Sequence, residues 1–166
     1  MHRRHWITGL AGLALVTRLG AQGAATPKIA PLKKTAAEWK KLLPANVHYI
    51  LREEGTEPAG SSPLNAEKRV GTFVCAGCFQ PLFDSAKKYE SGTGWPSFWD
   101  YLPGTLGTSR DFKMILPRTE YHCARCGGHQ GHVFEDGPKP TGLRYCNNGL
   151  AFTFVPKGEK LPELRV

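Results

Sequence analysis

Five cysteines, divided four and one, carry most of the chemistry legible in this chain. Cys75 and Cys78 form one C-x-x-C, and Cys123 and Cys126 form a second after 44 intervening residues. Two residues between paired thiols let both sulfurs face one ion, so two such pairs can supply a tetrahedral thiolate cage. Two disulfides would use the same four residues. The doubled spacing favours structural Zn2+ held by Cys75, Cys78, Cys123 and Cys126. Cys146, within Arg144-Tyr145-Cys146-Asn147-Asn148, is then the one free thiol. A thiol beside a cation is a candidate nucleophile, because the thiolate is the reactive form. A lone cysteine that serves only as a small buried hydrophobe is the alternative.

The neighbours of Cys146 sharpen the first reading. If Leu143–Asn147 is a strand, Arg144, Cys146 and Asn148 project from one face. Arg144 would then favour the thiolate, and Asn148 could hydrogen-bond a substrate oxygen. The plainer reading of Arg144 is a pair with a surface acid. Upstream, His129 and His132 flank Gly131 in a glycine-rich stretch. Their place between the second C-x-x-C and Cys146 suggests acid/base groups. They could also ligate zinc, but four cysteines suffice. Trp95, Phe98 and Trp99 sit in a Gly/Pro-rich loop. Such aromatics suit an apolar wall for a small substrate group, or a satellite core under the loop.

Short elements must position these groups. The chain has 166 residues, 40% of them hydrophobic, with 19 glycines and 13 prolines. That composition supports one modest core with many turns, and a mainly β fold rather than long helices. Thr35-Ala36-Ala37-Glu38 is a capping box that opens a short N-terminal helix, which Pro44 ends. Val47–Leu51 is a further short segment, and Gly55–Asn65 a loop. Strands are expected at Gly71–Cys75, Phe112–Leu116, Tyr121–Cys123, His132–Phe134, Leu143–Asn147 and Leu150–Val155, between Gly, Pro and Asn turns.

Residues 1–25 read as an export signal. Arg3-Arg4 precedes an apolar run, Ile7 to Val16, and then small residues. The paired arginines resemble a twin-arginine signal. The run is too short for a permanent membrane span. Residues 26–34 read as a linker and 35–166 as one domain. The expected location is the bacterial periplasm, with anchoring through an uncleaved N-terminal segment as the alternative. The formal charge of +8 falls to +5 once Arg3, Arg4 and Arg18 are removed. The remaining cations form no dense tract, so no nucleic-acid partner is expected.

From Thr35 to Pro156 the chain resembles the B-type methionine-R-sulfoxide reductases. The matching segments are Gly55-Thr56-Glu57, Cys75-x-x-Cys78, Ser91-Gly92-x-Gly94-Trp95-Pro96-Ser97-Phe98, Cys123-x-x-Cys126 and His129-x-x-His132-Val133-Phe134. They continue through Asp136-Gly137-Pro138-x-Pro140-Thr141-Gly142-x-Arg144-Tyr145-Cys146-x-Asn148. The resemblance implies two small antiparallel sheets in a tent-like β fold, often with structural zinc. It implies a thiol-dependent enzyme that repairs oxidised proteins. Cys146 would be the nucleophile, with His129, His132, Asn148 and Arg144 as its catalytic partners. Trp95 would contact the substrate methyl, with Phe134 also binding substrate. Many family members carry a resolving cysteine where this chain has Thr93. The resemblance therefore implies a Cys146 sulfenic acid reduced by an external thiol, such as a thioredoxin-like partner. Asn147, Gly149 and Pro58-Ala59-Gly60 also depart from the usual pattern. A zinc-ribbon binding module explains the C-x-x-C pairs but not Cys146, the histidines or the aromatic loop.

Overall fold

The capping box forms as the sequence dictates. The Thr35 hydroxyl accepts from the Glu38 amide, and Glu38 accepts from the Thr35 backbone amide at 2.7 Å. This starts α1 (Ala36–Leu42), and α2 (Ala45–Glu53) follows directly after Pro44. Trp39 of α1 and Ile50 and Leu51 of α2 are buried. The structure, a computed structural model, describes residues 29–113 and 116–166. The segments expected to be an export signal and the start of a linker lie outside the described residues.

Among the described residues nine strands follow: β1 (Gly71–Cys75), β2 (Pro81–Asp84), β3 (Lys88–Tyr89), β4 (Ser97–Phe98), β5 (Leu106–Asp111), β6 (Arg118–Cys123), β7 (His129–Phe134), β8 (Arg144–Asn147) and β9 (Phe152–Pro156). They build one sheet ordered β2-β1-β9 and another ordered β3-β4-β8-β7-β6-β5. All pairings are antiparallel. The expected fold class, mainly β with two antiparallel sheets, a short N-terminal helix and a four-cysteine site, is the one observed; α2 is a second helix.

The sheets meet over aromatic rings. Phe83 stacks on Phe98 at 4.3 Å, and Phe73 packs edge-on to Phe98 at 5.0 Å. Phe98 is fully buried, which decides for core over substrate wall at that position. Burying one such ring contributes about 2 kcal/mol.

The strand expected at Phe112–Leu116 does not take in Phe112, Lys113 or Leu116, and its residues 114–115 lie outside the described residues. Phe112 is 73% exposed and Leu116 77% exposed, so their apolar surface serves no core. The strand lies just before, at Leu106–Asp111, on the sheet edge. An edge strand has only one pairing partner, and three of its six residues are exposed. That is why its sequence lacks the apolar alternation used to find strands.

Candidate active site and metal centre

Each C-x-x-C lies at a strand end. Cys75 closes β1, Cys123 closes β6, and a turn follows each. The four sulfurs converge, all within 4.8 Å of one another, and all four residues are buried. The shortest contacts cross between pairs: Cys75 to Cys126 at 3.7 Å and Cys78 to Cys123 at 3.6 Å. A disulfide would need about 2.05 Å. A tetrahedron with metal–sulfur bonds of about 2.3 Å has edges near 3.8 Å. The cluster therefore fits a tetrahedral metal ion and not two bridges, and all five cysteines are free thiols. Crowding polarises the four groups. Hydrogen bonds, Cys123's foremost, hold Cys78 and Cys126 below the usual thiol range.

Cys146 lies in the middle of the larger sheet. It is opposite Ser97 of β4 on one side and His132 of β7 on the other. Directly opposite residues share a face, so all three side chains point the same way. Gly131 makes this pairing possible, because a Cβ there would strike the Cys146 carbonyl oxygen.

A pocket of about 130 Å³ opens over the thiol. Trp95 and Phe134 give it an apolar side, and Thr56, His132, Asn147, Asn148 and Arg118 a polar one. It has room for a small functional group such as a methyl sulfoxide, rather than for a whole residue.

The structure brings Trp95, Phe134, His132, Asn148 and Cys146 together in this pocket. His129 stands behind, 98% buried, its ring 5.4 Å from that of His132. Its Nδ1 pairs with Glu120 at 2.9 Å, and its Nε2 is buried without a partner. His132 bonds Asp111 through Nε2 at 2.7 Å, which leaves Nδ1 to meet a ligand. Burial lowers the His132 pKa and outweighs the opposing pull of Asp111. Burial also raises Glu120, but hydrogen bonds from His122, His129 and Ser109 overcome it and bring the carboxyl to about 2.

Arg144 departs from its expected place. It binds Asp136 in a two-pronged pair at 2.7 and 2.8 Å and lies over Phe134, not among the pocket-lining residues. The plainer reading, a pair with a surface acid, is thus also true. Burial dominates and pushes the Cys146 thiol above its ordinary value, although the Arg144 charge favours the thiolate.

Sequence reasoning quoted Glu57 only within a motif, yet it ties the pocket together. Its carboxylate accepts from the amides of Gly149 at 2.6 Å and Leu150 at 3.0 Å. Its amide donates to Asn148 Oδ1, and its carbonyl accepts from the Trp95 indole, both at 3.0 Å. Asp111 and Glu120 were not anticipated either. The acids become visible as histidine partners only through the β5-β6-β7 register.

Fold and site together define a β domain with a buried four-cysteine cluster able to hold a metal ion and one separate, pocket-lining cysteine. Residues 43–156 match the SelR domain family. The chain is similar to proteins named peptide methionine sulfoxide reductase MsrB. That of Methanosarcina barkeri is 45% identical, covering 77% of this chain and 91% of the relative. That of Leptospira interrogans is 47% identical, covering 74% and 95%. That of Agrobacterium fabrum is 45% identical, covering 79% and 96%. The chain belongs to the methionine-R-sulfoxide reductase B family.

Proposed function

We propose that this protein reduces the R epimer of methionine sulfoxide in oxidised proteins to methionine. The carrying observation is a free, half-buried cysteine in a pocket with an aromatic wall on one side and a carboxylate-held histidine on the other. Trp95 and Phe134 hold the methyl group. His132 and Asn148 hold the oxygen, with His129 behind them and Arg144 steadying the thiolate. A chiral sulfur with fixed methyl and oxygen sites accepts one hand only.

Cys146 attacks the sulfoxide sulfur, and the S–O bond breaks as the oxygen is protonated. The oxygen ends on Cys146 as sulfenic acid, and methionine leaves, two electrons richer. An external thiol then forms a mixed disulfide with Cys146 and releases water. A second thiol on the reductant resolves it and returns Cys146 to the thiol. Thr93 stands where a resolving cysteine would serve, so the cycle uses no internal disulfide. A thioredoxin-like protein fits this role. Cys75, Cys78, Cys123 and Cys126 would hold zinc, which staples the fold and takes no chemical part. Among the described residues no helix is long and apolar enough to cross a membrane. Residues 1–25 direct export to the periplasm; retention of that segment as an anchor is the alternative, and N-terminal sequencing of the protein from fractionated cells decides.

Turnover of a dabsylated methionine R-sulfoxide tests the reading. The parent should reduce the R epimer and leave the S epimer untouched, and Cys146→Ser should be inactive. Equal rates on both epimers, or turnover by Cys146→Ser, would contradict it.

A further inference from the structure

We infer that Arg52 and Gln130 belong to the metal site, as two side-chain donors aimed at the sulfurs along a single edge of the four-cysteine cluster. The inference rests on that cluster holding a divalent metal ion. Arg52, near the end of α2, donates through Nη2 to the Cys126 carbonyl at 2.8 Å and to Cys126 Sγ at 3.6 Å. Gln130 of β7 is fully buried and donates through Nε2 to Cys75 Sγ at 3.5 Å. Cys75 and Cys126 face each other across one edge of the cluster, 3.7 Å apart. Both donors therefore act on that edge. Among the described residues no side chain beyond the cysteines donates to the sulfur of Cys78 or Cys123.

Charge explains why a cation belongs there. Four thiolates around a divalent ion leave two negative charges in excess. Burying that charge costs free energy unless a partner offsets it. Arg52 pairs with no carboxylate among the described residues, and its Nε is buried without a partner. The cysteine cluster is the negative charge left to balance it. Trp39 of α1 holds the guanidinium from the other side, 4.4 Å from its ring centroid. Gly128 leaves the approach open, since a Cβ there would lie 3.0 Å from Arg52 Nη2 and 3.3 Å from Cys126 Sγ. Arg125 and Arg165 also reach the cysteine turns, but they bond carbonyl oxygens rather than sulfur. A donor to a metal ligand fixes its orientation and tunes the metal, and losing one typically costs roughly ten- to hundredfold in affinity.

The test uses the full chain produced in cobalt-supplemented minimal medium, so that Co2+ fills the cage as a spectroscopic probe. Sulfur-to-metal charge-transfer bands report how firmly the sulfurs hold their electrons, and a donor lost from sulfur moves those bands to longer wavelength. Arg52→Met keeps an apolar stem against Trp39 and removes the charge. Gln130→Met keeps the length and removes the donor. Both should show the shift and should release Co2+ to a chelator roughly tenfold faster than the parent. Arg52→Lys keeps a cation and should fall between the parent and Arg52→Met. Arg125→Met loses only carbonyl contacts and should leave the bands in place. Faster release with unmoved bands in Arg52→Met and Gln130→Met would make both residues mere structural supports and overturn the inference. Parent-like release in both would overturn it as well, and so would an equal band shift in Arg125→Met. Arg52→Lys no better than Arg52→Met would overturn the part assigned to charge. A parent chain without tetrahedral cobalt bands would instead defeat the metal reading itself.

Discussion

His132 faces opposing demands. Burial disfavours its charged form, while the proton donation to a sulfoxide oxygen proposed for it requires that form. Asp111 offsets part of the burial, and Asp111 is itself held ionised, first by the Lys113 amide and then by His132 and Arg118. Asp111→Asn should therefore lower the His132 pKa further. The protonated form is lost as pH rises through that pKa, so turnover should begin to fall at a lower pH than in the parent. A pH–rate profile with an unmoved limb would contradict this. Glu120 gives a stability test of the same kind. Its carboxyl is lowered to about 2 in the fold from an ordinary value of 4.5. The stabilisation is complete above pH 4.5 and is lost as pH falls towards 2. Glu120→Gln should lack this loss, so its stability measured in denaturant should change less between those values. The cysteines were legible because two-residue spacing is itself a geometric statement. Asp111 and Glu120 were not, because Asp111 lies 21 residues from His132 and Glu120 lies 9 from His129, and only strand register joins them.

Elements whose residues carry local signals were readable. The Thr35 capping box gave α1, and β1 (Gly71–Cys75) has the expected bounds. β3 and β4 were missed because they are two residues each, too short for alternation to show. The link between loop and site was also hidden. Glu57 leaves α2 by four residues and joins the 3-10 turn Gly149–Ala151, nearly a hundred positions later. Glu57→Ala would strip the Gly149 and Leu150 amides of a charged acceptor. We expect a loss of about 2–4 kcal/mol in urea unfolding, because buried donors left unpaired carry the full desolvation cost. Glu57→Gln keeps one acceptor and should lose about half as much. In that milder variant Trp95 and Asn148 keep their backbone and amide partners, so KM for the sulfoxide should rise by less than about tenfold. A Glu57→Ala protein as stable as the parent would show that the two carboxylate bonds to Gly149 and Leu150 hold nothing in place.

The two ends of the domain meet on the second cysteine turn. The Leu32 amide donates to the Arg125 carbonyl at 2.6 Å, and Arg125 donates to the Arg165 carbonyl at 2.7 Å. Arg165 then reaches the first turn. Its amide donates to the Cys78 carbonyl, its side chain to the Gly77 carbonyl, and its guanidinium lies 4.2 Å over the Phe79 ring. Phe79 has φ of +63°, a conformation non-glycine residues rarely adopt, so its turn gains from an outside clamp. The four-cysteine cluster is thus the knot that ties β1, β6 and the two ends of the described domain. Structural zinc can contribute on the order of 10 kcal/mol, comparable to a domain's whole stability. Stripping the metal with a chelator should therefore unfold the protein rather than merely inactivate it. Removing Glu163–Val166 gives a graded version. The cage keeps its four thiolates but loses the Arg165 clamp, so chelator-driven metal release, followed with a metallochromic dye, should quicken several-fold. Alkylation of Cys146 in the still-loaded truncation should match the parent, because no residue removed touches the pocket. Parent-like metal release from the truncated chain would mean that the tail rests on the cage without holding it.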